Sequence, residues 1–383
     1  MSNSSEQIFS GAQLVLNNEV VLGTLVVQNG LIQECQSGAS SLPQAIDCRG
    51  DYLLPGLIEL HTDNMEKHFV PRPGVQWPGR SAVLTHDAQV IASGITTVFD
   101  AVSIGDIKAD GFRLKSLHYM LSSLVETCAL GLTRADHLVH LRCEVSHKSC
   151  LELFTELSDN PLVRLVSIMD HAPGQRQFAR LDKYIQYYQG KMNFSDAEMT
   201  AFIASHQQSS ELYSTPFRQQ IAAHCQGATI PLASHDDATL AHIEESLSFG
   251  MSIAEFPTTL EAAQAAHQSG MKVLMGAPNI VRGGSHSGNV AAAELAQAGV
   301  LDILSSDYYP NSLLDAAFQL AGLDNPYSLA DAIRTVTSTP AAAVGLTDRG
   351  SLVAGLRADL VRVRWQHDHP LIQQVWNQGE RVY

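Results

Sequence analysis

From Leu53 onwards the chain repeats one pattern, an apolar run of strand length that ends in a polar residue and is followed by a longer helical segment. This pattern is typical of βα units, in which a buried parallel strand is followed by a helix that covers it. Eight such units predict an α/β protein with a (β/α)8 TIM barrel. The predicted strand ends are His61, Asp100, Glu144, His171, His235, Glu255, Pro278 and Asp307.

Short strands separated by turn residues precede and follow the repeated units. They lie at residues 12–16, 24–28 and 31–33, and again at 351–353, 358–363 and 374–383. Alternating apolar residues between Asn-rich and Gly-rich turns are typical of strands in a small β layer. We therefore predict a small β-sandwich domain formed by both termini, residues 1–53 and 346–383, beside a barrel domain of residues 54–345.

One connection within the barrel, residues 172–228, is too long for an ordinary βα loop. It is rich in Tyr, Gln and Arg, and insertions of this length commonly cover an active site or bind a ligand. We predict that it is a lid-like inserted segment.

Charge and composition exclude several classes of partner. The formal net charge of −15 argues against nucleic acid, because such binding depends on cationic side chains that contact phosphates. No stretch approaches the roughly 20 apolar residues of a membrane span, and the first ten residues lack the features of a signal peptide. We expect a cytoplasmic protein that binds neither nucleic acid nor membrane, and we also expect a homo-oligomer. The six scattered cysteines are expected to be reduced thiols.

Polar residues at the predicted strand ends are the candidates for chemistry, because the active site of a TIM barrel lies at the C-terminal ends of its strands. His61 and Asp63 are two residues apart, so an extended strand directs both side chains to the same face. The other candidates are Glu144, His171, His235 and Asp307. Three imidazoles and three carboxylates suit one or two divalent metal ions, with Glu144 bridging them if two are bound. Zinc is the expected ion, with iron and manganese as alternatives.

Three segments resemble the amidohydrolase superfamily from one end of the chain to the other. They are Leu54-Pro-Gly-Leu-Ile-Glu-Leu-His61, Gly94-Ile-Thr-Thr-Val98 and the tail from Pro340 to Asp359. The resemblance implies a barrel with one or two metal ions, flanked by a β layer. The sequence departs from the commonest pattern of that superfamily, with Asp63 where a second histidine usually stands and Glu144 where many members use a carboxylated lysine.

Longer blocks are similar to one family within it, the PhnM-type diphosphatases of phosphonate metabolism. The blocks include His61-Thr-Asp-Asn64, the segment from Ser167 to Phe178, Ala233-Ser-His-Asp-Asp-Ala238 and the segment from Met275 to Gly288. The resemblance implies hydrolysis of α-D-ribose 1-methylphosphonate 5-triphosphate to the 5-phosphate and diphosphate. The expected substrate is therefore a phosphorylated ribose.

Several basic residues are placed to bind such a substrate. The glycine-rich segment 281–288 carries Arg282 and His286, and its small residues let backbone N–H groups approach an anion. Lys67 and Arg72 follow the first candidate ligands, and Arg176 begins the predicted inserted segment. Arginine can bind phosphate through two parallel hydrogen bonds. A plain turn remains the alternative for the glycine-rich segment, and a solvated surface role remains the alternative for each basic residue.

We predict that Asp307 orients and deprotonates the attacking water, because carboxylates serve as general bases. Asp236 and Asp237, next to His235, are predicted either to fix the imidazole tautomer of that histidine or to cap the following helix. Two other functions stay open. One is an amide- or imine-cleaving hydrolase, such as a deacetylase or deaminase, and the other is a non-catalytic partner in a phosphonate-processing assembly.

Overall fold

The computed structural model describes residues 6–105, 112–176, 184–185, 188–189, 194–285 and 288–383, with the side chains of 112–115 left out. The chain begins with five strands, of which β4 has only two residues. They are β1 (Gln7–Val15), β2 (Val20–Gln28), β3 (Leu31–Ser37), β4 (Ile46–Asp47) and β5 (Tyr52–Pro55). β1 and β2 pair antiparallel with a register shift between Ser10 and Ala12, and β1 pairs parallel with β5.

The next eight strands form a parallel barrel in which every strand neighbours its predecessor in sequence. Thr62 of the first strand and Asp307, just after the last, form a parallel bridge that joins the two edges of this sheet. The predicted TIM barrel is therefore confirmed. Its strands are β6 (Leu57–Thr62), β7 (Ile95–Ile104), β8 (Asp136–Glu144), β9 (Val163–Met169), β10 (Leu232–His235), β11 (Ile253–Glu255), β12 (Lys272–Gly276) and β13 (Ile303–Ser305).

The last three strands return to the first sheet. β14 (Leu360–Gln366) pairs antiparallel with β5, and it is followed by β15 (His369–Asn377) and β16 (Glu380–Arg381). The resulting mixed sheet has its own core, in which the rings of Phe9 and Trp376 meet edge to face at 4.8 Å between centroids. The β layer built from both termini is confirmed, whereas the predicted strand at 351–353 is wrong. That segment is irregular and places Leu352 in the core. The division into two domains at residues 53 and 346 stays a prediction.

Helices cover the outside of the barrel between its strands. They are α1 (Glu66–Phe69), α2 (Gly79–Ala92), α3 (Phe112–Ala129), α4 (Cys150–Leu157), α5 (Asp196–Ala228), α6 (Leu240–Ser248), α7 (Leu260–Gln268), α8 (Ala277–Val281), α9 (Ala292–Gln297), α10 (Ser312–Gly322), α11 (Leu329–Arg334) and α12 (Ser338–Ala343). Within the ranges given above, no helix combines the length and apolar character that crossing a bilayer requires. The described part of the predicted inserted segment is mainly α5.

The barrel strands alternate between two apolar cores, and this alternation decides which side chains reach the interior. Along β8, Val139, Leu141 and Cys143 lie in the core shared with the helices. Leu138 instead packs against the core inside the barrel, with Ile58 and Phe99 among its members. Because successive strand residues point to opposite faces, His140, Arg142 and Glu144 share the inward face of Leu138.

A buried ionic cluster occupies the outward face of β7. The Nε2 atom of His86 lies 2.5 Å from one carboxylate oxygen of Asp100, and Nδ1 of His137 lies 2.7 Å from the other. Nε2 of His137 also lies 3.4 Å from Asp87. Asp100 had been expected at the end of its strand, but β7 continues to Ile104. Its carboxylate faces the helices and not the mouth of the barrel, because Asp100 shares the outward face of Val98 and Val102.

This cluster predicts a loss of stability at alkaline pH. Burial disfavours the charged imidazole, but Asp100 and Asp87 outweigh it and raise the pKa of His137 to about 9. An unfolded histidine has a pKa of about 6.5, so the stabilising effect is fully present below that pH and is lost as pH rises through the folded value. The charged His137 thereby contributes on the order of 3 kcal/mol to the free energy of unfolding. We expect the melting temperature to fall between about pH 7 and about pH 10.

The matched variant is Asp100→Asn, which keeps the shape of the side chain but removes its charge. It should melt lower than the wild type at neutral pH and lose most of the alkaline decline. A wild-type melting temperature that stays constant over this range would contradict the prediction.

Candidate active site

The six side chains predicted as metal ligands converge at the C-terminal mouth of the barrel. One ligand atom from each of His61, Asp63 and Asp307 lies within 4.8 Å of the others. On the opposite side of the mouth, His171, His235 and Asp236 form a second group within the same limit. His235 also shares a group with His61, so the two sides adjoin. Glu144 joins the second side through His171.

Glu144 and His171 form a short contact, with 2.6 Å between Oε2 and Nδ1. The Nε2 atom of His171 lies 3.4 Å from Asp236. Burial opposes charge on this histidine, but the two carboxylates raise its pKa to about 10. The same pairing lowers the pKa of Glu144 to about 2 although burial acts in the opposite direction. The contact holds the imidazole in one orientation, with its Nε2 edge directed towards Asp236.

The backbone at two strand ends adopts a conformation that non-glycine residues seldom use. Asp307 has a φ of 56° and Asp236 a φ of 58°. Such residues cost free energy unless the surrounding structure holds them, and they are concentrated at functional sites. At Asp307 the support is direct, because its N–H donates to the carbonyl of His61 at 3.1 Å and its carbonyl accepts from the N–H of Asp63 at 2.7 Å. Burial raises the pKa of the Asp307 carboxyl.

Arg142 lies between the two sides of the mouth and was not predicted as a site residue. Its Nη1 atom donates to both carboxylate oxygens of Asp63 at 2.8 Å, and its Nη2 lies 3.3 Å from Nε2 of His235. The side chain is only 11% exposed. The alternation of side chains along a strand could have identified it from the sequence, because Arg142 is two residues before Glu144 and shares its inward face. A fixed guanidinium therefore lies beside the candidate ligands.

Two further inward residues were also missed, His140 and Glu255. Nδ1 of His140 lies 3.0 Å from the carbonyl of Leu60, while its Nε2 has no hydrogen-bond partner among the residues described. Glu255 places Oε1 3.2 Å from Nδ1 of His61, and its Oε2 is likewise without a partner in the described parts of the chain. Buried polar atoms of this kind are rare without a ligand or water. Nitrogen and oxygen donors left open in this way fit a divalent metal ion.

A cavity of about 260 Å³ opens above these groups. The glycine-rich segment forms part of its wall, so the predicted Arg282 lines it together with Gly284 and Ser285. His286 lies outside the described residues. Other lining residues are His61, Arg142, His171, His235, Asp236, Phe256, Asn279, Asn289, Asp307 and Tyr308. The cavity thus combines candidate metal ligands with two arginines.

The remaining predicted residues lie elsewhere. Lys67 and Arg72 are exposed and are not among the residues that line this cavity. Arg176 is only 3% exposed, and its guanidinium is paired with Asp237 and Glu245. Unlike Arg142, Arg176 is not among the residues that line this cavity, and its guanidinium is held by two carboxylates, so its observed contacts are structural.

Asp236 and Asp237 differ in their contacts. Asp236 lies 3.0 Å from Nδ1 of His235 and also approaches His171. Asp237 accepts a hydrogen bond from the hydroxyl of Ser246 and pairs with Arg176. Neither caps the next helix, because the N-cap of α6 is Thr239. The first of the two predicted alternatives therefore fits the contacts of Asp236.

Comparison with known proteins gives one relative of high similarity and many structures of the same fold. A family model described as the amidohydrolase family matches residues 215–383. The α-D-ribose 1-methylphosphonate 5-triphosphate diphosphatase of Escherichia coli (strain K12) is 55% identical over 377 residues, 98% of this chain and 100% of that protein.

Two solved structures illustrate the fold. The 5-methylcytosine deaminase of Klebsiella pneumoniae has a TM-score of 0.65 with 16% identity, and the match covers 98% of each chain. The N-acetyl-D-glucosamine-6-phosphate deacetylase of Mycobacterium smegmatis has a TM-score of 0.64 with 18% identity, covering 98% of this chain and 100% of that one. At these identities the likeness concerns the fold alone.

Proposed function

Because this chain belongs to the amidohydrolase family, and within it to the α-D-ribose 1-methylphosphonate 5-triphosphate diphosphatases, we propose that it hydrolyses this triphosphate in the breakdown of phosphonates. The products are the 5-phosphate and diphosphate. The observation that carries the proposal is the full-length relationship to the diphosphatase of Escherichia coli. The two arginines that line the cavity support it, because a polyphosphate needs cationic partners in a protein of net charge −15.

We assign the metal-binding role to the six predicted residues. These are His61, Asp63, Glu144, His171, His235 and Asp307. Their mixed nitrogen and oxygen donors suffice for one or two divalent ions, and zinc is the ion we propose. When bound, such an ion supplies Lewis acidity that polarises a phosphoryl oxygen and makes water a better nucleophile near neutral pH. Nε2 of His140 and Oε2 of Glu255, which have no hydrogen-bond partner among the described residues, are further donors within the same mouth.

Residues of this chain carry out proton transfer, phosphate binding and orientation of the histidine. Asp307 accepts a proton from the attacking water, whose oxygen forms a bond to the phosphorus nearest the ribose. The bond from that phosphorus to the bridging oxygen breaks, and diphosphate leaves with the electron pair. Arg142 and Arg282 bind phosphoryl oxygens as negative charge moves towards the leaving group. Asp236 keeps the imidazole of His235 in one tautomer.

The test is incubation with the triphosphate followed by phosphorus NMR. We expect resonances of diphosphate and of a sugar 5-phosphate, in equal amounts. Removal of metal with a chelator should lower the rate by at least about 100-fold, and added zinc should restore it. Release of inorganic phosphate alone would contradict the proposal, and so would a stable protein that is purified without chelator, holds no metal and gains no turnover when zinc is added. The second result would favour the non-catalytic partner, and an amide-cleaving enzyme would leave the triphosphate intact.

We further propose that the protein acts in the cytoplasm as a homo-oligomer and binds no nucleic acid. The net charge of −15 supports the last point. Light scattering after size-exclusion chromatography tests the oligomer, because a monomer has a mass of 41.5 kDa.

A further inference from the structure

A second cavity of about 390 Å³ opens beside the first, on the side of Glu144 and His171. We propose that it binds the phosphonate-bearing end of the substrate, while the first cavity binds the triphosphate end. The inference rests on the proposed function and adds which part of the substrate each cavity recognises. The second cavity is lined by Glu144, Ser146, His147, Lys148, His171, Ser205, His206, Gln208, Ser209, Leu212 and Tyr213.

The position of the cavity is the first argument. His171 lines both cavities, while His61, His235 and Asp307 line the first cavity and Glu144 lines the second. A substrate that extends across His171 therefore has its reacting phosphorus beside these ligands and its two ends in different cavities. The ribose 5-triphosphate carries its phosphonate at the opposite end of the sugar, so its length suits such a path.

The helix that forms one wall is unusual in the residues that it presents. Ser205, Gln208, Ser209 and Leu212 of α5 follow the spacing that places side chains on one face of a helix. Such a stripe is commonly apolar and packs on a core. Here it is mostly polar and lines the cavity. A hydroxyl- and amide-rich wall suits recognition of a sugar and an anionic oxygen.

The register of α5 is fixed by polar contacts on an adjacent face. Ser210 donates a hydrogen bond to Asp170 at 3.0 Å, and both side chains are buried. Two turns later Arg218 donates to Glu245 at 2.8 Å. These contacts tie the helix to the loop after β9 and to α6. The polar stripe is thereby held in place over the cavity.

The charges of the side chains that line each cavity indicate which end of the substrate it binds. The first cavity offers two arginines and the glycine-rich loop, which suits the several charges of a triphosphate. The second offers Lys148, which has no ion pair with any residue in the described ranges. An esterified methylphosphonate carries one negative charge and an apolar methyl group. Lys148 matches the charge, and Leu212 on the same wall matches the methyl group.

The test measures binding separately from turnover. Zinc-loaded protein is titrated calorimetrically with α-D-ribose 1-methylphosphonate 5-phosphate and with ribose 5-phosphate, which lacks the phosphonate. We expect the wild type to bind the phosphonate-bearing ligand about tenfold more tightly, since hydrogen bonds between charged groups are the stronger class. Lys148→Met should remove most of this difference and leave the affinity for ribose 5-phosphate within about twofold. Lys148→Arg keeps the charge and should keep the discrimination.

The matched control is Lys272→Met, which removes another half-exposed lysine, paired with Asp302 at the opposite end of the barrel. It should bind both ligands as the wild type does. Equal affinity of the wild type for the two ligands, binding of neither, or an equal loss for both in Lys148→Met would overturn the inference. Failure of the proposed function is seen separately, as absence of diphosphate release by the wild type in the phosphorus NMR assay.

Discussion

Replacing Asp307 with asparagine is expected to lower turnover by about 100- to 10,000-fold, the range typical of a lost general base. The amide keeps the size of the side chain and one oxygen donor but cannot take the proton of the attacking water. The backbone contacts of Asp307 with His61 and Asp63 involve only main-chain atoms, so they survive the substitution. We therefore expect the metal content and melting temperature to stay close to those of the wild type.

The control is Asp302→Asn, the same change at the other end of β13. Asp302 pairs with His267 and Lys272, far from the mouth. This variant should turn over at the wild-type rate. The measurement is the single-turnover rate of diphosphate release, combined with metal analysis of the same sample. Wild-type turnover by Asp307→Asn with metal in place would remove this residue from the role of base.

The second large effect is expected for Arg142→Met, which should lower turnover by about 100- to 1,000-fold, as for other losses of a fixed donor to a transition state. Its guanidinium lies between Asp63 and His235, at the wall of the first cavity. A positive charge held there favours the transition state, in which phosphoryl oxygens gain charge. Methionine preserves much of the apolar stem but supplies no donor.

Arg142→Lys separates charge from geometry. Lysine keeps a cation, but its single nitrogen cannot contact Asp63 and His235 together as the two Nη atoms of Arg142 do, so we expect partial activity. Arg164→Met serves as the control, because Arg164 is exposed near the start of β9. Turnover numbers, metal content and melting temperatures of the three variants show whether the charge or the geometry of Arg142 is needed. A loss of activity in Arg142→Met that tracks a loss of metal would show that the residue acts by organising Asp63 and not on the phosphate.

The barrel was predictable because each of its strands is an apolar run in the sequence. The polar residue that ends each run indicates the C-terminal mouth of the barrel. Strand lengths were less predictable. Asp100 was expected to end a strand, yet β7 continues for four residues that pair with β8, while the outward carboxylate of Asp100 pairs with His86 and His137. A carboxylate neutralised by two histidines from elsewhere in the chain looks, in sequence, like any polar strand end. The tertiary partners, and not the local pattern, decide the boundary.

The site shows a similar division. Residues that close an apolar run, such as His61 and His235, stand out because a polar side chain interrupts a hydrophobic pattern. Arg142 lies inside a strand, and only its position relative to Glu144 indicates that it faces inwards. Arg176 was predicted from its place at the start of a long connection, whereas its burial and its pairing with Asp237 depend on how that connection folds back. Sequence spacing does not contain that information.

The bridge between Thr62 and Asp307 places the residue that we propose as general base at the seam of the barrel. Its two strands come from opposite ends of the barrel sequence, and such distant contacts form slowly because a long loop must close first. Partly assembled barrels that lack this seam hold Asp307 away from His61 and Asp63. We therefore expect hydrolysis to begin only when the first and last strands have met, and newly made chains to stay inert until folding of the barrel is complete.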